Sequence, residues 1–314
     1  MKNLAFVFPG QGSQVVGMGK ELYSQYPSAK AVFEEADEAL GFSITKMCFE
    51  GPEEDLRKTY NTQPAILTVS IAAYRILEQE GITPNIVAGH SLGEYSALVA
   101  AQALRFSDAV QLVRKRGQFM QEAVPIGEGS MAAILGLERN LVVEVCNKLE
   151  SQGEEVQAVN FNCPGQIVIA GKTSAVETAV TLLKEAGARR AVILPVSAPF
   201  HSTLMKPAAE KLAIELEKIK VSDAKIPVVA NVNGEIITKG SDIVVSLVKQ
   251  ADNPVKWEDC IAQIIHSGAT TFIEAGPGKV LSAFTKKIAK ETENLNVEDV
   301  ASLEKTLDYF KEVR

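Results

Sequence analysis

The chain has 314 residues, of which 46% are hydrophobic and 23% charged, enough to bury one large core or two unequal ones. Its formal net charge is -7 and its pI is near 5.3, which excludes proteins that bind nucleic acid through overall positive charge. No segment approaches the ~20 apolar residues of a membrane span. We therefore expect neither a nucleic-acid nor a membrane partner.

The first apolar run, LAFVF at residues 4–8, follows a single lysine and precedes a proline. It is too short for the core of a secretory signal and is typical of a buried strand. We expect a cytoplasmic protein, or one of an organelle matrix if a transit peptide has been removed.

Short apolar runs then alternate with helical patterns, which predicts an α/β layer with a mostly parallel sheet. The predicted elements are a helix near 63–79, a strand at 85–89, helices after 91 and after 107, strands at 227–232 and 270–276, and a helix from 279. Residues beyond about 290 are expected to form a variable acidic tail.

The middle of the chain has a different order, βαββαβ, which is that of a ferredoxin-like unit. Its predicted elements are strand 131–137, helix 139–150, strands 156–161 and 166–171, helix 174–186 and strand 190–196. This order predicts a small subdomain at 128–196, inserted into a large α/β subdomain formed by 1–127 and 197–314. A cleft between two subdomains is a common ligand site.

Residues 85–97, NIVAGHSLGEYSA, place Ser91 between an apolar strand and a helix. The segment Gly89–Gly93 fits GxSxG, the nucleophile elbow, in which a sharp turn exposes the serine hydroxyl. Alternatively, Ser91 caps the helix, because Glu94 completes a capping-box pattern. The glycine on each side favours the elbow, since a capping serine needs neither.

A nucleophilic serine needs a base within hydrogen-bond reach, and the chain has three histidines. His90 adjoins Ser91 and is expected to point away from it, and His266 lies near the end of an amphipathic helix. His201 follows a strand, in a loop that opens a helix, which suits a catalytic residue. The alternative for His201 is a histidine that bonds only to backbone.

Arg116 falls in the apolar stripe of the helix that opens at Ser107, at the spacing set by Ala109, Leu112 and Phe119. A buried guanidinium must meet an anion, because leaving it unpaired is costly. Periodicity favours equally a bidentate site for a substrate carboxylate and a structural role, either an ion pair with a core Asp or Glu or an arginine that extends past the core to solvent.

The glycine-rich segment FPGQGSQVVGMGK, residues 8–20, fails both phosphate-binding patterns. A dinucleotide fingerprint needs glycine at Val15, and a P-loop needs glycine at Gln14. A tight turn after the first strand can instead bring backbone N–H groups beside Ser91, as half of an oxyanion hole. The other half would be the amide of Leu92.

Four cysteines, Cys48, Cys146, Cys163 and Cys260, are far apart, with no CxxC pair and no histidine at ligand spacing. The pattern favours reduced thiols over a zinc site or a disulfide framework. No metal site is predicted.

Five motifs occur together: FPGQGSQ at 8–14, GHSLGEYSAL at 89–98, RKRGQFMQ at 114–121, APFHS at 198–202 and QADNPVKW at 250–257. With them the chain resembles the malonyl-CoA:acyl carrier protein transacylases of fatty-acid synthesis, relatives of the acyltransferase domains of polyketide synthases. The resemblance runs from about residue 4 to 285. It implies a monomer with a hydrolase-like α/β core and a ferredoxin-like insert.

The resemblance also implies the roles of the site residues. Ser91 would take the malonyl group from malonyl-CoA, with His201 as general base and then acid. The backbone amides of Gln11 and Leu92 would bind the oxyanion, and the main-chain carbonyl of Gln250 would orient His201 in place of an acidic residue.

Two further residues would select the acyl group. Arg116 would hold the free carboxylate of the malonyl group, and Phe200 would disfavour a branch at the α-carbon. No metal or redox cofactor is implied, and the phosphopantetheine is carried by the acyl carrier protein.

Two rival functions use the same motifs: an esterase or thioesterase in which water finishes the reaction, and a carrier-docking module with an inert site. Carrier proteins of this pathway are generally acidic, so basic residues near the cleft are docking candidates, and the alternative is ordinary solvated charge. These candidates are Arg189, Arg190, Lys279, Lys286 and Lys287.

Overall fold

The computed structural model describes residues 3–196 and 198–313, so the predicted subdomain limits at 1, 197 and 314 lie outside the described residues. Within those ranges the chain forms ten strands: β1 (Leu4–Phe8), β2 (Ile86–Gly89), β3 (Gly129–Leu135), β4 (Val156–Cys163), β5 (Gln166–Lys172), β6 (Arg190–Ile193), β7 (Val228–Val229), β8 (Ile236–Ile237), β9 (Thr271–Ala275) and β10 (Glu293–Val297).

Fourteen α-helices lie in the same ranges: α1 (Lys20–Gln25), α2 (Pro27–Leu40), α3 (Ile44–Glu50), α4 (Glu53–Leu56), α5 (Thr59–Gln79), α6 (Gly93–Ala100), α7 (Phe106–Glu122), α8 (Arg139–Ser151), α9 (Thr173–Glu185), α10 (Lys206–Leu216), α11 (Gly240–Asp252), α12 (Trp257–His266), α13 (Val280–Ile288) and α14 (Val300–Val313). None of these helices combines the length and the apolar character needed to cross a bilayer.

The larger sheet has six strands in the order β10-β9-β1-β2-β7-β8. All neighbours are parallel except β7 and β8, which pair antiparallel. Every residue of β1, β2 and β9 is buried, because helices cover both faces of a parallel sheet and leave no face for polar side chains. Helix α5 is buried along almost its whole length on one face, while α12 and α13 contribute to the core on the other. The predicted mostly parallel sheet is confirmed.

The smaller sheet is antiparallel in the order β4-β5-β3-β6, with α8 and α9 between its strands in the chain. This is the predicted βαββαβ order, with the first strand between the fourth and the third, as in ferredoxin-like units. Strand β6 ends at Ile193, three residues before the predicted limit. Past the end of β6, the N–H of Leu194 still donates to the carbonyl of Met131 at 2.9 Å.

Backbone bonds join the smaller sheet to the chain before α12. Val255 donates to the carbonyl of Val159 at 2.8 Å and accepts from the N–H of Phe161 at 2.9 Å. Nearby, Arg139 makes two hydrogen bonds to the carboxylate of Asp259, at 2.9 and 3.0 Å, and its guanidinium lies 4.1 Å from the ring centre of Phe161. These contacts fix the smaller sheet over the carboxyl ends of the larger one.

Three predictions about the elements need correction. The chain beyond 290 is not a variable tail: β10 is an edge strand on β9, and Val297 and Leu303 are fully buried. The predicted strand at 227–232 is only two residues long, because the chain turns after β7 to pair with β8. Helices α1 to α4, between residues 20 and 56, are absent from the predicted pattern.

Candidate active site

The turn between β2 and α6 has the geometry of a nucleophile elbow. Ser91 has φ of 50°, a left-handed conformation that side-chain-bearing residues rarely adopt. A Cβ on Gly89 would lie 1.9 Å from the backbone of Gly93, and one on Gly93 would lie 2.0 Å from the carbonyl oxygen of Phe8. Both glycines are thus required by the close approach of the strand, the turn and the helix.

Ser91 and His201 are in hydrogen-bond contact, with Oγ and Nε2 separated by 2.7 Å. The other ring nitrogen, Nδ1, lies 2.8 Å from the carbonyl oxygen of Gln250. A carbonyl can only accept, so Nδ1 carries the proton and Nε2 presents its lone pair to the serine hydroxyl. The capping alternative for Ser91 is wrong, because its Oγ contacts His201 and Arg116, while the N–H of Glu94 donates to the backbone carbonyl of Ser91 at 3.1 Å.

His201 is held in its neutral form. Burial, and after it the nearby positive charge of Arg116, lower the pKa of His201 to about 3, against the hydrogen bond from Nδ1 to the carbonyl of Gln250, which raises it. The imidazole is therefore unprotonated at neutral pH and able to accept a proton.

Arg116 is 1% exposed, and among the described residues no carboxylate accepts a hydrogen bond from its guanidinium. Its Nη1 donates to Oε1 of Gln63 at 2.8 Å, and its Nη2 donates to Oε1 of Gln250 at 2.8 Å and to Oγ of Ser91 at 3.2 Å. All three acceptors are uncharged. Glu94 affects the guanidinium only through its charge, and Nε has no partner among the described residues. The ion-pair alternative for Arg116 is therefore wrong. Its guanidinium lines the cavity with no carboxylate bonded to it among the described residues.

One cavity brings the predicted residues together, and it lies between the elbow and the smaller sheet. Its lining is Gln11, Gln63, His90, Ser91, Leu92, Arg116, Met120, Met131, Asn160, Leu194, Val196, Phe200 and His201. Gln250 lies behind this wall, fully buried. Within the described ranges, the N–H groups of Gln11 and Leu92 donate no hydrogen bond to the protein. Two free donors are therefore present beside the serine, as an oxyanion site requires.

Three residues of the site region are missing from the sequence-based candidates: Gln63, Glu94 as a buried network member, and Asn231. Oε2 of Glu94 accepts from the backbone N–H of Asn231 at 3.0 Å and from Nε2 of Gln250 at 2.9 Å. Burial raises the pKa of Glu94 to about 7, against these hydrogen bonds and the charge of Arg116, which lower it. Asn231 follows β7 at the carboxyl edge of the sheet, which is the signal that could have identified it.

The remaining candidates lie elsewhere. His90 bonds Asn162 at 2.8 Å rather than Ser91, and His266 is exposed at the last residue of α12. The basic docking candidates are exposed and line no part of the cavity. In the described ranges, no group of three or more histidine, cysteine and acidic side chains is arranged to hold a metal ion.

The four cysteines are free thiols and buried. Burial raises the pKa of each of them, Cys48, Cys146, Cys163 and Cys260. They lie apart from one another in the core, and their reduced state remains a prediction.

The model of the acyl transferase domain family matches residues 5–312. The chain belongs to this family. It is 53% identical to the malonyl CoA-acyl carrier protein transacylase of Bacillus subtilis (strain 168) over 312 residues, which cover 99% of this chain and 98% of the relative. The protein of the same name from Escherichia coli (strain K12) is 50% identical over 289 residues, 92% of this chain and 93% of that one.

Solved structures of family members agree with the fold. Malonyl CoA-acyl carrier protein transacylase from Clostridium perfringens has a TM-score of 0.96 and 47% identity, covering 99% of this chain and 98% of that chain. A malonyl-transacylase in complex with its type II PKS acyl-carrier protein has a TM-score of 0.95 and 45% identity, covering 98% and 99%. The resemblance inferred from the motifs is confirmed, but its predicted end at 285 is too early, since the family extends through β10 and α14.

Proposed function

We propose that this protein transfers the malonyl group from malonyl-CoA to the phosphopantetheine thiol of an acyl carrier protein, in fatty-acid biosynthesis. One observation carries the proposal: the buried guanidinium of Arg116 donates to the same hydroxyl of Ser91 that contacts His201, and within the described part of the chain all its hydrogen-bond acceptors are uncharged. A serine nucleophile with a fixed cation beside it suits an acyl group that ends in a carboxylate.

In the first half-reaction, Oγ of Ser91 attacks the thioester carbonyl as its proton passes to Nε2 of His201. The N–H groups of Gln11 and Leu92 would stabilise the negative charge that develops on the carbonyl oxygen. The C–S bond then breaks, the sulfur leaves with the proton from His201, and a malonyl-serine ester remains.

The second half-reaction reverses these steps with a different thiol. The phosphopantetheine sulfur gives its proton to His201 and attacks the ester carbonyl, and the C–O bond breaks as the proton returns to Ser91. The carbonyl of Gln250 would keep Nδ1 protonated throughout, so that Nε2 exchanges the proton in both directions. Both halves are carbonyl additions, and together they make a ping-pong transfer.

Phe200 is only 8% exposed and lines the cavity, and it would crowd a methyl branch on the α-carbon of the acyl group. The relatives named for malonyl transfer support the malonyl group as substrate. Cytoplasmic location, a monomeric state and docking of the carrier on the exposed basic residues remain predictions.

Intact mass tests the proposal directly. Mixing with malonyl-CoA should add one malonyl group to the protein, and the carrier protein should then remove it. Ser91→Ala should gain nothing, while Ser24→Ala, a change on the exposed face of α1, should behave as wild type. The proposal fails if wild type gains no adduct or if Ser91→Ala gains the same one. Steady release of free malonate without a carrier would instead indicate a thioesterase.

A further inference from the structure

The carboxamide of Asn231 bridges the two sides of the strained turn. Its Oδ1 accepts from the backbone N–H of Ser91 at 2.7 Å, and its Nδ2 donates to the carbonyl oxygen of Gly89 at 2.8 Å. One bond is made before the bend and one at the bend. Both bonds are therefore kept only while residues 89–91 have this geometry.

Asn231 is itself fixed from several directions. It is fully buried, its backbone N–H donates to Oε2 of Glu94 at 3.0 Å, and its carbonyl accepts from the N–H of Lys256 at 2.9 Å. The same Glu94 oxygen accepts from Gln250 at 2.9 Å, whose carbonyl contacts His201. Glu94 thus connects Asn231, which bonds Ser91, to Gln250, which bonds His201.

The bonds from Asn231 stabilise the strained backbone of the nucleophile, Ser91. The left-handed φ of Ser91 is unfavourable for a residue with a Cβ, so the turn needs bonds that the relaxed chain would not make. Since the Ser91 N–H is taken by Asn231, the free donor that follows the nucleophile is the N–H of Leu92. Asn231 does not line the cavity and has no access to an acyl group there.

We propose that Asn231 is a positioning residue, which holds the turn at Ser91 so that the hydroxyl faces His201 and the Leu92 N–H faces the oxyanion. This role rests on the proposed function only in taking malonyl-CoA as the acyl donor. The effect of Asn231 on the reactivity of Ser91 can be measured without malonyl-CoA.

The test compares wild type with Asn231→Ala, Asn231→Asp and the control Asn233→Ala, which changes an exposed neighbour whose side chain bonds Glu235. Single-turnover acylation by malonyl-CoA and labelling by a small fluorophosphonate are both timed, and each rate is divided by the fraction of protein that is finally labelled. Asn231→Ala should slow both reactions about 10- to 100-fold, the cost of a displaced reacting group, with KM nearly unchanged. Asn233→Ala should match wild type.

Asn231→Asp provides a readout that a merely structural role would not move. At pH 8 the introduced carboxylate cannot donate to Gly89, and it lies near the carboxyl of Glu94, because Nε2 of Gln250 donates to both Glu94 and the Asn231 side chain. The thiol of Cys260 is also close, with its Sγ 4.0 Å from Nδ2 of Asn231. When protonated, the introduced acid group can donate to Gly89 and accept from Ser91, as the amide does. The rate per active site, relative to wild type, should therefore rise as pH falls from 8 to 5.5.

Wild-type rates per active site in Asn231→Ala, or an Asn231→Asp deficit that is the same at every pH, would overturn the proposal. The same holds if Asn231→Ala only lowers the melting temperature. If wild type accepts no malonyl group but its fluorophosphonate labelling still depends on Asn231, the proposed function fails and the positioning role stands.

Discussion

Replacing Arg116 with methionine should separate malonyl transfer from acetyl transfer. Methionine keeps the apolar stem of a side chain that is 1% exposed and removes the charge. A malonyl carboxylate would then be buried without its cation, and breaking a buried pair in this way costs about 3–5 kcal/mol. At 1.36 kcal/mol per tenfold, kcat/KM for malonyl-CoA should fall by roughly 10²- to 10⁴-fold.

An acetyl group presents no carboxylate. At its reacting hydroxyl it loses the 3.2 Å hydrogen bond from Nη2 to Oγ of Ser91, and the loss of the bonds to Gln63 and Gln250 affects both acyl donors alike. A bond of this kind is worth about 1 kcal/mol, and acetyl transfer should fall by no more than about tenfold. The assay is the rate of Ser91 acylation by malonyl-CoA and by acetyl-CoA, measured separately by intact mass. Arg114→Met is the matched control on α7, because Arg114 stacks on Phe42 outside the cavity.

The same substitution should also move the pH dependence. The charge of Arg116 is, after burial, the second cause of the lowered pKa of His201. Removing it raises that pKa, so the base becomes protonated at a higher pH and the acid limb of the rate profile should shift upward. Equal losses for malonyl and acetyl groups, or an acid limb that does not move, would refute the reasoning about Arg116.

Two further predictions concern other buried groups. Phe200→Ala should raise the use of methylmalonyl-CoA relative to malonyl-CoA by roughly 10- to 100-fold, the value of one methyl group in a tight pocket. A mixture of the two donors, followed by the mass of the acylated protein, measures this ratio, and an unchanged ratio would contradict it. Glu274→Gln should become more stable relative to wild type as pH rises. Burial raises the pKa of Glu274 to about 7, above about 4.3 for a free glutamate, so the folded form holds the extra proton and wild type loses about 1.4 kcal/mol per pH unit between these values. Denaturant titrations of both proteins from pH 5 to 8 test this, and a pH-independent difference would disprove it.

The sequence predicted correctly those features that are determined by residues close together in the chain. The turn at Ser91 could be recognised because Gly89 and Gly93 leave no Cβ where the backbones meet. The burial of Arg116 followed from its spacing in α7, and the alternation of strands and helices predicted both sheets. Helix α2 carried a readable signal as well, since Ala29, Val32, Phe33 and Ala36 are spaced as one buried face.

Contacts between distant segments could not be derived in this way. Ser91 and Asn231 are 140 positions apart, and Arg116 and Gln63 are 53 apart, so no periodicity connects them. Periodicity therefore could not decide between a carboxylate-binding and a structural role for Arg116, because its uncharged partners lie on distant segments. Strand β10 was missed because it is a half-buried edge strand, in which Leu295 and Val297 alternate with asparagine.

The burial of all four cysteines matters for a protein whose proposed substrates and products are thioesters. A solvent-exposed thiolate would capture acyl groups by exchange with CoA or with the carrier's own sulfur, and would store them away from the reacting serine. With every sulfhydryl enclosed and its ionisation suppressed, the protein offers acyl donors an oxygen nucleophile and no competing sulfur. The acyl group can then pass from the thiol of CoA to that of the carrier without reacting with a cysteine of the enzyme.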